Sequence, residues 1–139
     1  MQQKNIRVFL VDDHPLVRQA LRSLLEREAD LVVCGEAEDR IGAFAAIQAA
    51  KPALAVVDLG LKNSSGLELI KDIRQHVPET ATLALSMCDE SLYAERAIRA
   101  GAQGYVSKGE AITEIMRAVR RVLSGEIYWS ARAAAQPIK

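Results

Sequence analysis

The stretch ALAVVD, Ala53 to Asp58, is an apolar run without a break, closed by a carboxylate. A strand with one wet face alternates apolar and polar side chains. A run without alternation belongs to a strand covered on both faces, the condition of a parallel sheet. Pro52 stands just ahead of it and disfavours helical geometry in the preceding residue, so the Ala-rich segment Ile41–Ala50 reads as a helix that ends there. Outward from this strand the same alternation repeats. Toward the N-terminus, Leu31–Ala37 (LVVCGEA) reads as a strand. Before it, Leu16 to Glu28 reads as a helix with Leu16, Val17, Ala20, Leu21, Leu24 and Leu25 on one face, and Ile6–Val11 (IRVFLV) as another strand. Toward the C-terminus, Leu67, Ile70 and Ile73 mark a helix that stops near Pro78, and Thr80–Leu85 is a strand. Leu92 to Ala100 is a helix closed by Gly101, and Gly104–Val106 is a short strand. Ile112, Ile115, Met116, Val119, Val122 and Leu123 make a strongly amphipathic last helix, followed by Gly125.

Five strand–helix units in strict alternation imply an α/β fold. Its core is a doubly wound, five-stranded parallel sheet with helices on both faces and right-handed crossovers. The 139 residues fit one domain, residues 1–125, with 126–139 read as a tail or linker. Half of the residues are hydrophobic and 26% are charged, the balance of a globular chain rather than a disordered one. Lys plus Arg equals Asp plus Glu at 18 each, so no basic excess marks this segment as a nucleic-acid binder. The apolar runs are far short of a membrane span, and the polar start, Met1 to Arg7, does not read as a signal peptide. Cys34 and Cys88 lack metal-ligand spacing and are expected to be reduced thiols in a cytoplasmic protein.

In a doubly wound sheet, ligands bind at the carboxyl ends of the strands. The residues that close the strands are Asp12 and Asp13, Asp58, Ser86, and Ser107 with Lys108. Three carboxylates in one pocket repel one another unless a cation joins them. Mg²⁺ suits such a set, because it prefers oxygen ligands and keeps several waters beside one or two carboxylates and a phosphate oxygen. Lys108 offers a point charge on a long stem for a phosphoryl oxygen, and Ser86 offers a hydroxyl. A carboxylate such as Asp58 can act as a nucleophile toward phosphorus. Each residue has a plainer role when read alone. Asp12 or Asp13 could cap the next helix ahead of Pro15. Asp58 could serve a turn, Ser86 a loop, Lys108 a solvated surface and Tyr105 the core. His14 reads as a loop or helix-start residue rather than a ligand. Their joint position on the strand ends of one sheet favours the site.

Val11-Asp12-Asp13-His14-Pro15, Val57-Asp58-Leu59 with Gly66 eight residues past Asp58, Ala84-Leu85-Ser86 and Gly104-Tyr105-Val106-Ser107-Lys108 together resemble the receiver domain of bacterial two-component response regulators. The resemblance spans residues 6 to 124. Within that family the motifs are similar to the NarL/FixJ (LuxR-type) branch, whose members usually carry a C-terminal helix-turn-helix domain. The resemblance implies a (βα)5, flavodoxin-like or CheY-like fold with strand order 2-1-3-4-5. It implies that Asp58 is the phosphoacceptor, and that Mg²⁺ is held by Asp13, by Asp12 largely through water, by Asp58 and by the Gly60 carbonyl. Ser86 would close on the phosphoryl group, Lys108 would pair with it, and Tyr105 would be the aromatic switch that turns inward when Ser86 moves. The implied donor is a histidine kinase or phosphotransfer protein, and the resemblance is compatible with a homodimer. DNA would be bound through an output domain beyond residues 126–139, and no membrane partner is implied. The chain is thus expected to be part of a longer transcription regulator, with a single-domain regulator acting by protein contact as the other reading. Two positions depart from the family pattern. Leu61-Lys62 stands where Met-Pro is common, and Gly109 follows Lys108 where a cis proline is common, so a trans bond is expected there.

Other functions fit less well. A flavodoxin-type electron carrier shares the architecture, but Asp12 and Asp13 would repel an FMN phosphate. A haloacid-dehalogenase-type phosphatase would need a second Asp at position 60, which is Gly60. Thiol redox chemistry lacks a Cys-x-x-Cys. The closest alternative is a receiver-like interaction module that works without phosphorylation.

Overall fold

The computed structural model describes residues 5–61, 65–86, 91–108 and 112–129. Lys62 and Gly109, the two departures from the family pattern, lie outside the described residues. Strands β1 (Ile6–Val11), β2 (Leu31–Ala37), β3 (Leu54–Asp58), β4 (Ala81–Ser86) and β5 (Gly104–Ser107) alternate with helices α1 (Pro15–Glu26), α2 (Arg40–Ala50), α3 (Gly66–His76), α4 (Ser91–Ala100) and α5 (Ile112–Leu123). A further strand, β6 (Tyr128–Trp129), follows α5. The sheet is therefore six-stranded, in the order β2-β1-β3-β4-β5-β6 with every pairing parallel, and not five-stranded as expected. The added strand comes from the segment read as tail. Tyr128 pairs with Gly104 and Trp129 with Tyr105. A two-residue strand is too short to display an alternation, so no periodicity announces it.

The helices start and stop for local reasons. Asp39 caps α2 by accepting from the Gly42 amide at 2.8 Å, and the Arg7 guanidinium donates to the carbonyls of Ala50 and Lys51 at its other end. Ser65 caps α3 by accepting from the Glu68 amide, with Glu68 in the first turn and Arg74 and His76 in the last, as the helix dipole favours. Alternation along the strands splits the core in two. Phe9, Val11, Ala55, Val57, Ala84 and Tyr105 face α2, α3 and α4. Val8, Leu10, Leu54, Val56, Leu83, Leu85 and Val106 face α1 and α5. Every residue of β3 is buried, as its unbroken apolar run demands. In α1, Leu21 and Leu25 are buried, but Leu16 is 80% exposed and Ala20 is exposed. The apolar stripe is thus narrower than the pattern suggested, with Val17 and Leu24 only partly buried beside Leu21 and Leu25. Gly104 allows close packing, since a Cβ there would lie 2.8 Å from Val122 Cγ2 and 2.9 Å from Leu83 Cδ1.

Candidate functional site

The order β1-β3-β4-β5 brings Asp12, Asp58, Ser86 and Lys108 to one edge of the sheet. Asp58 stands opposite Leu85, and Ser86 opposite Ser107. Asp12, just past β1, is held at three points. Its amide donates to the Ala37 carbonyl at 3.1 Å, its carbonyl accepts from the Arg18 guanidinium at 2.6 Å, and its Oδ1 accepts from the His14 amide at 2.9 Å. Arg18 also pairs with Glu36 at 2.9 Å, tying α1 to the end of β2. The helix-cap reading of Asp12 is not what the backbone uses. The N-cap residue of α1 is His14, whose side chain makes no cap bond, and Pro15 occupies the first turn.

Asp58 is 2% exposed at the end of β3. Its Oδ1 accepts from the Gly60 amide at 2.9 Å, and the Leu59 amide donates to the Leu85 carbonyl at 2.8 Å. Gly66, at the start of α3, lies against this turn. A Cβ there would sit 2.3 Å from the Asp58 carbonyl oxygen and 2.7 Å from Leu59 Cα, so only glycine lets α3 approach the turn so closely. The Lys108 amide donates to the Ser86 carbonyl at 2.7 Å. The lysine's buried Nζ lies 2.9 Å from Asp12 Oδ2 and 3.1 Å from Asp58 Oδ2.

The two buried carboxyls of this pocket are shifted in opposite directions. Burial raises the Asp58 carboxyl above its ordinary value, with the Asp12 charge adding to it, against the opposing Gly60 amide and Lys108. Burial also acts on Asp12. There the Lys108 ammonium and the bonds from His14 outweigh it, and the carboxyl is held below its ordinary value. Asp12 Oδ2 and Asp58 Oδ2 are both buried and reach Lys108 Nζ as ion-pair contacts without a well-formed hydrogen bond. Asp13 adds a third carboxylate beside them. The Lys108 ammonium is shared between the two buried carboxylates of Asp12 and Asp58, and buried oxygens with spare lone pairs are donors for a hard divalent cation. The residues present therefore fit a divalent metal. Ligand atoms of Asp12, Asp13, His14 and Asp58 lie within 4.8 Å of one another.

Residues 8–120 match the response regulator receiver domain family. The chain belongs to that family. It is 40% identical over 94% of its length to the DNA-binding transcriptional activator DevR/DosR of Mycobacterium tuberculosis, covering 60% of that protein. A solved LuxR-family two-component response regulator from Aurantimonas sp. SI85-9A1 superposes with a TM-score of 0.90 at 35% identity, over 94% of this chain and 93% of that one. RcsB, in a structure of two dimers bound to two parallel DNAs, superposes with a TM-score of 0.85 at 25% identity, over 94% of this chain and 67% of RcsB. The chain spans about three fifths of the length of the curated relatives it matches. These relatives are transcriptional response regulators, and this receiver domain is of their LuxR/NarL type.

The receiver fold brings Asp12, Asp13, Asp58 and Lys108 together, with Ser86 ending the neighbouring strand. It offers Asp58 the Gly60 amide. Tyr105 lies one layer away, fully buried with Ala94 and Ala97 of α4, and Trp129 packs against the same cluster. His14 starts α1 as expected, but its ring also enters the acidic group, with Nδ1 2.8 Å from Asp12 Oδ1. The sequence signal for this is the tight Asp-Asp-His run ahead of Pro15, which leaves the ring within reach of the strand end.

Proposed function

We propose that this receiver domain takes a phosphoryl group onto Asp58 from a phosphohistidine donor, a histidine kinase or phosphotransfer protein. The observation that carries the reading is Asp58 Oδ2, buried at the strand end and 3.1 Å from the Lys108 ammonium. In the transfer this oxygen forms a bond to phosphorus while the bond from phosphorus to the donor's imidazole nitrogen breaks. The imidazole leaves with the bonding pair. Lys108, freed from the Asp58 oxygen, neutralises a phosphoryl oxygen, and the Ser86 hydroxyl donates to another. The Gly60 amide keeps the other carboxylate oxygen fixed, so the attacking oxygen is already oriented. Asp12, Asp13, Asp58 and the Gly60 carbonyl would hold Mg²⁺. Once bound, the ion supplies positive charge to the phosphoryl oxygens and lifts the repulsion among the carboxylates.

The added charge biases a two-state packing of Ser86, Tyr105 and α4, with Tyr105 as the switch residue. The regulated output is transcription, through a DNA-binding segment outside these residues and with dimer formation, on the model of the relatives. No helix among the described residues is long and apolar enough to cross a membrane, and the proposed location is the cytoplasm. Intact mass after incubation with a small phosphodonor tests the acceptor. The expected result is one Mg²⁺-dependent phosphoryl adduct on the wild type and none on Asp58→Asn. A folded wild type that takes no adduct from any donor would point to an interaction module working without phosphorylation.

A further inference from the structure

We infer that His14 supplies a nitrogen ligand to the acidic site, so that the site distinguishes late first-row transition ions from Mg²⁺. The inference rests on the metal-binding reading given above. His14 Nδ1 is 2.8 Å from Asp12 Oδ1, 3.2 Å from Asp13 Oδ1 and 3.7 Å from Asp58 Oδ2. Two donors each ~2.1 Å from one ion stand ~3.0 Å apart at right angles and ~4.2 Å apart when opposite, from standard coordination distances. The separations in the cluster fall in and around that range. The ring is not committed to helix capping, since His14 as N-cap makes no side-chain bond to α1. Its side chain is 48% exposed, which gives an ion an approach from solvent. Below it, Asp12 Oδ2 and Asp58 Oδ2 are buried, with side chains 2% exposed, and lack a formed hydrogen bond. These oxygens complete a set of carboxylates and one imidazole. Imidazole suits Co²⁺, Ni²⁺ and Zn²⁺, whereas Mg²⁺ selects oxygen.

The opposing arrangement is that the ring only stands in for a cation, donating to the carboxylates until an ion expels it. Then His14 would resist every ion alike. Calorimetric titrations with Mg²⁺ and with Co²⁺, on the Cys34→Ser, Cys88→Ser protein so that thiols do not compete, separate the two. The quantity compared is the ratio of Co²⁺ to Mg²⁺ affinity, with and without His14→Asn. The expected result is a fall in that ratio of about tenfold or more, and a changed visible absorption of the bound Co²⁺. A ratio unchanged within about twofold, whether both affinities rise or fall together, overturns the nitrogen ligand. If the starting protein binds neither ion, the metal-binding reading fails and the inference with it. Mg²⁺ uptake with an unchanged ratio refutes the inference alone.

Discussion

Asp58 shows how a reactive group is held in readiness at the expense of the fold. Its carboxyl is raised above the ordinary value of 3.8 by burial and by Asp12. A group that binds its proton more tightly when folded contributes fully below its unfolded pKa, and that contribution is lost as pH rises through the folded value. At neutral pH the ionised Asp58 is therefore a net cost to the metal-free protein. Asp12, held low, has the opposite sign: its contribution is present above its ordinary value and is lost as pH falls through the depressed one. Asp58→Asn, which keeps the shape and removes the charge, is expected to stabilise the metal-free protein by on the order of 1 kcal/mol at pH 7. The gain should shrink toward pH 4. Urea unfolding at the two pH values measures it, and equal midpoints for both proteins at pH 7 would refute the strain. These strand-end carboxylates were legible because topology, not local propensity, assigns them to one edge. The ring of His14 was legible in part: the Asp-Asp-His run puts it within reach of the strand end, but its direction depends on the turn between Asp12 and Pro15.

At the scale of an element, the phosphoacceptor loop is shaped by the helix that follows it. The start of α3 rests on the backbone of Asp58 and Leu59 through a glycine. An added methyl in an exposed helix ordinarily helps by up to about 1 kcal/mol. Here it meets backbone at 2.3 Å, and overpacking of that kind costs about 1–3 kcal/mol. Gly66→Ala is expected to lower the urea midpoint and to slow adduct formation from a small phosphodonor, because Asp58 must move with the loop. Unaltered stability would show that α3 can slide without cost. Helix positions were readable from periodicity and proline, and boundaries shifted by only a residue or two. Strand β2 hides one irregularity. Its register with β1 slips between Val8 and Phe9, passing over Cys34, and alternation alone does not reveal a bulge.

The whole molecule is tied across its chain by charge as well as by its core. Arg120 of α5 bonds to Asp30 at 2.8 Å through two nitrogens and to Glu28 at 2.8 Å, residues about ninety positions earlier. The two carboxylates raise its guanidinium further above an already high value, so it stays charged across the working pH range. The groups are a third or more exposed, so the network is worth little more than a single good surface pair, about 1 kcal/mol. Arg120→Ala is expected to lose about that much at low salt and less at 1 M salt, in paired denaturation curves. A loss independent of salt would mean that packing of the side-chain stem, and not charge, is what is removed. Pairs so distant in sequence cannot be read from one chain. The two-sided core could be, because each strand's alternation sorts its own residues.

The single tryptophan of the chain, Trp129, is paired with Tyr105 in the edge strand and packs on the same buried cluster. The molecule thus carries a built-in fluorophore beside the residue proposed to report the state of Asp58. Emission excited at the indole band should shift in wavelength or intensity when the phosphoryl adduct forms, and stay constant in Asp58→Asn under the same donor. A silent spectrum from a fully phosphorylated sample would mean that the signal leaves the domain by a route that bypasses the sheet edge.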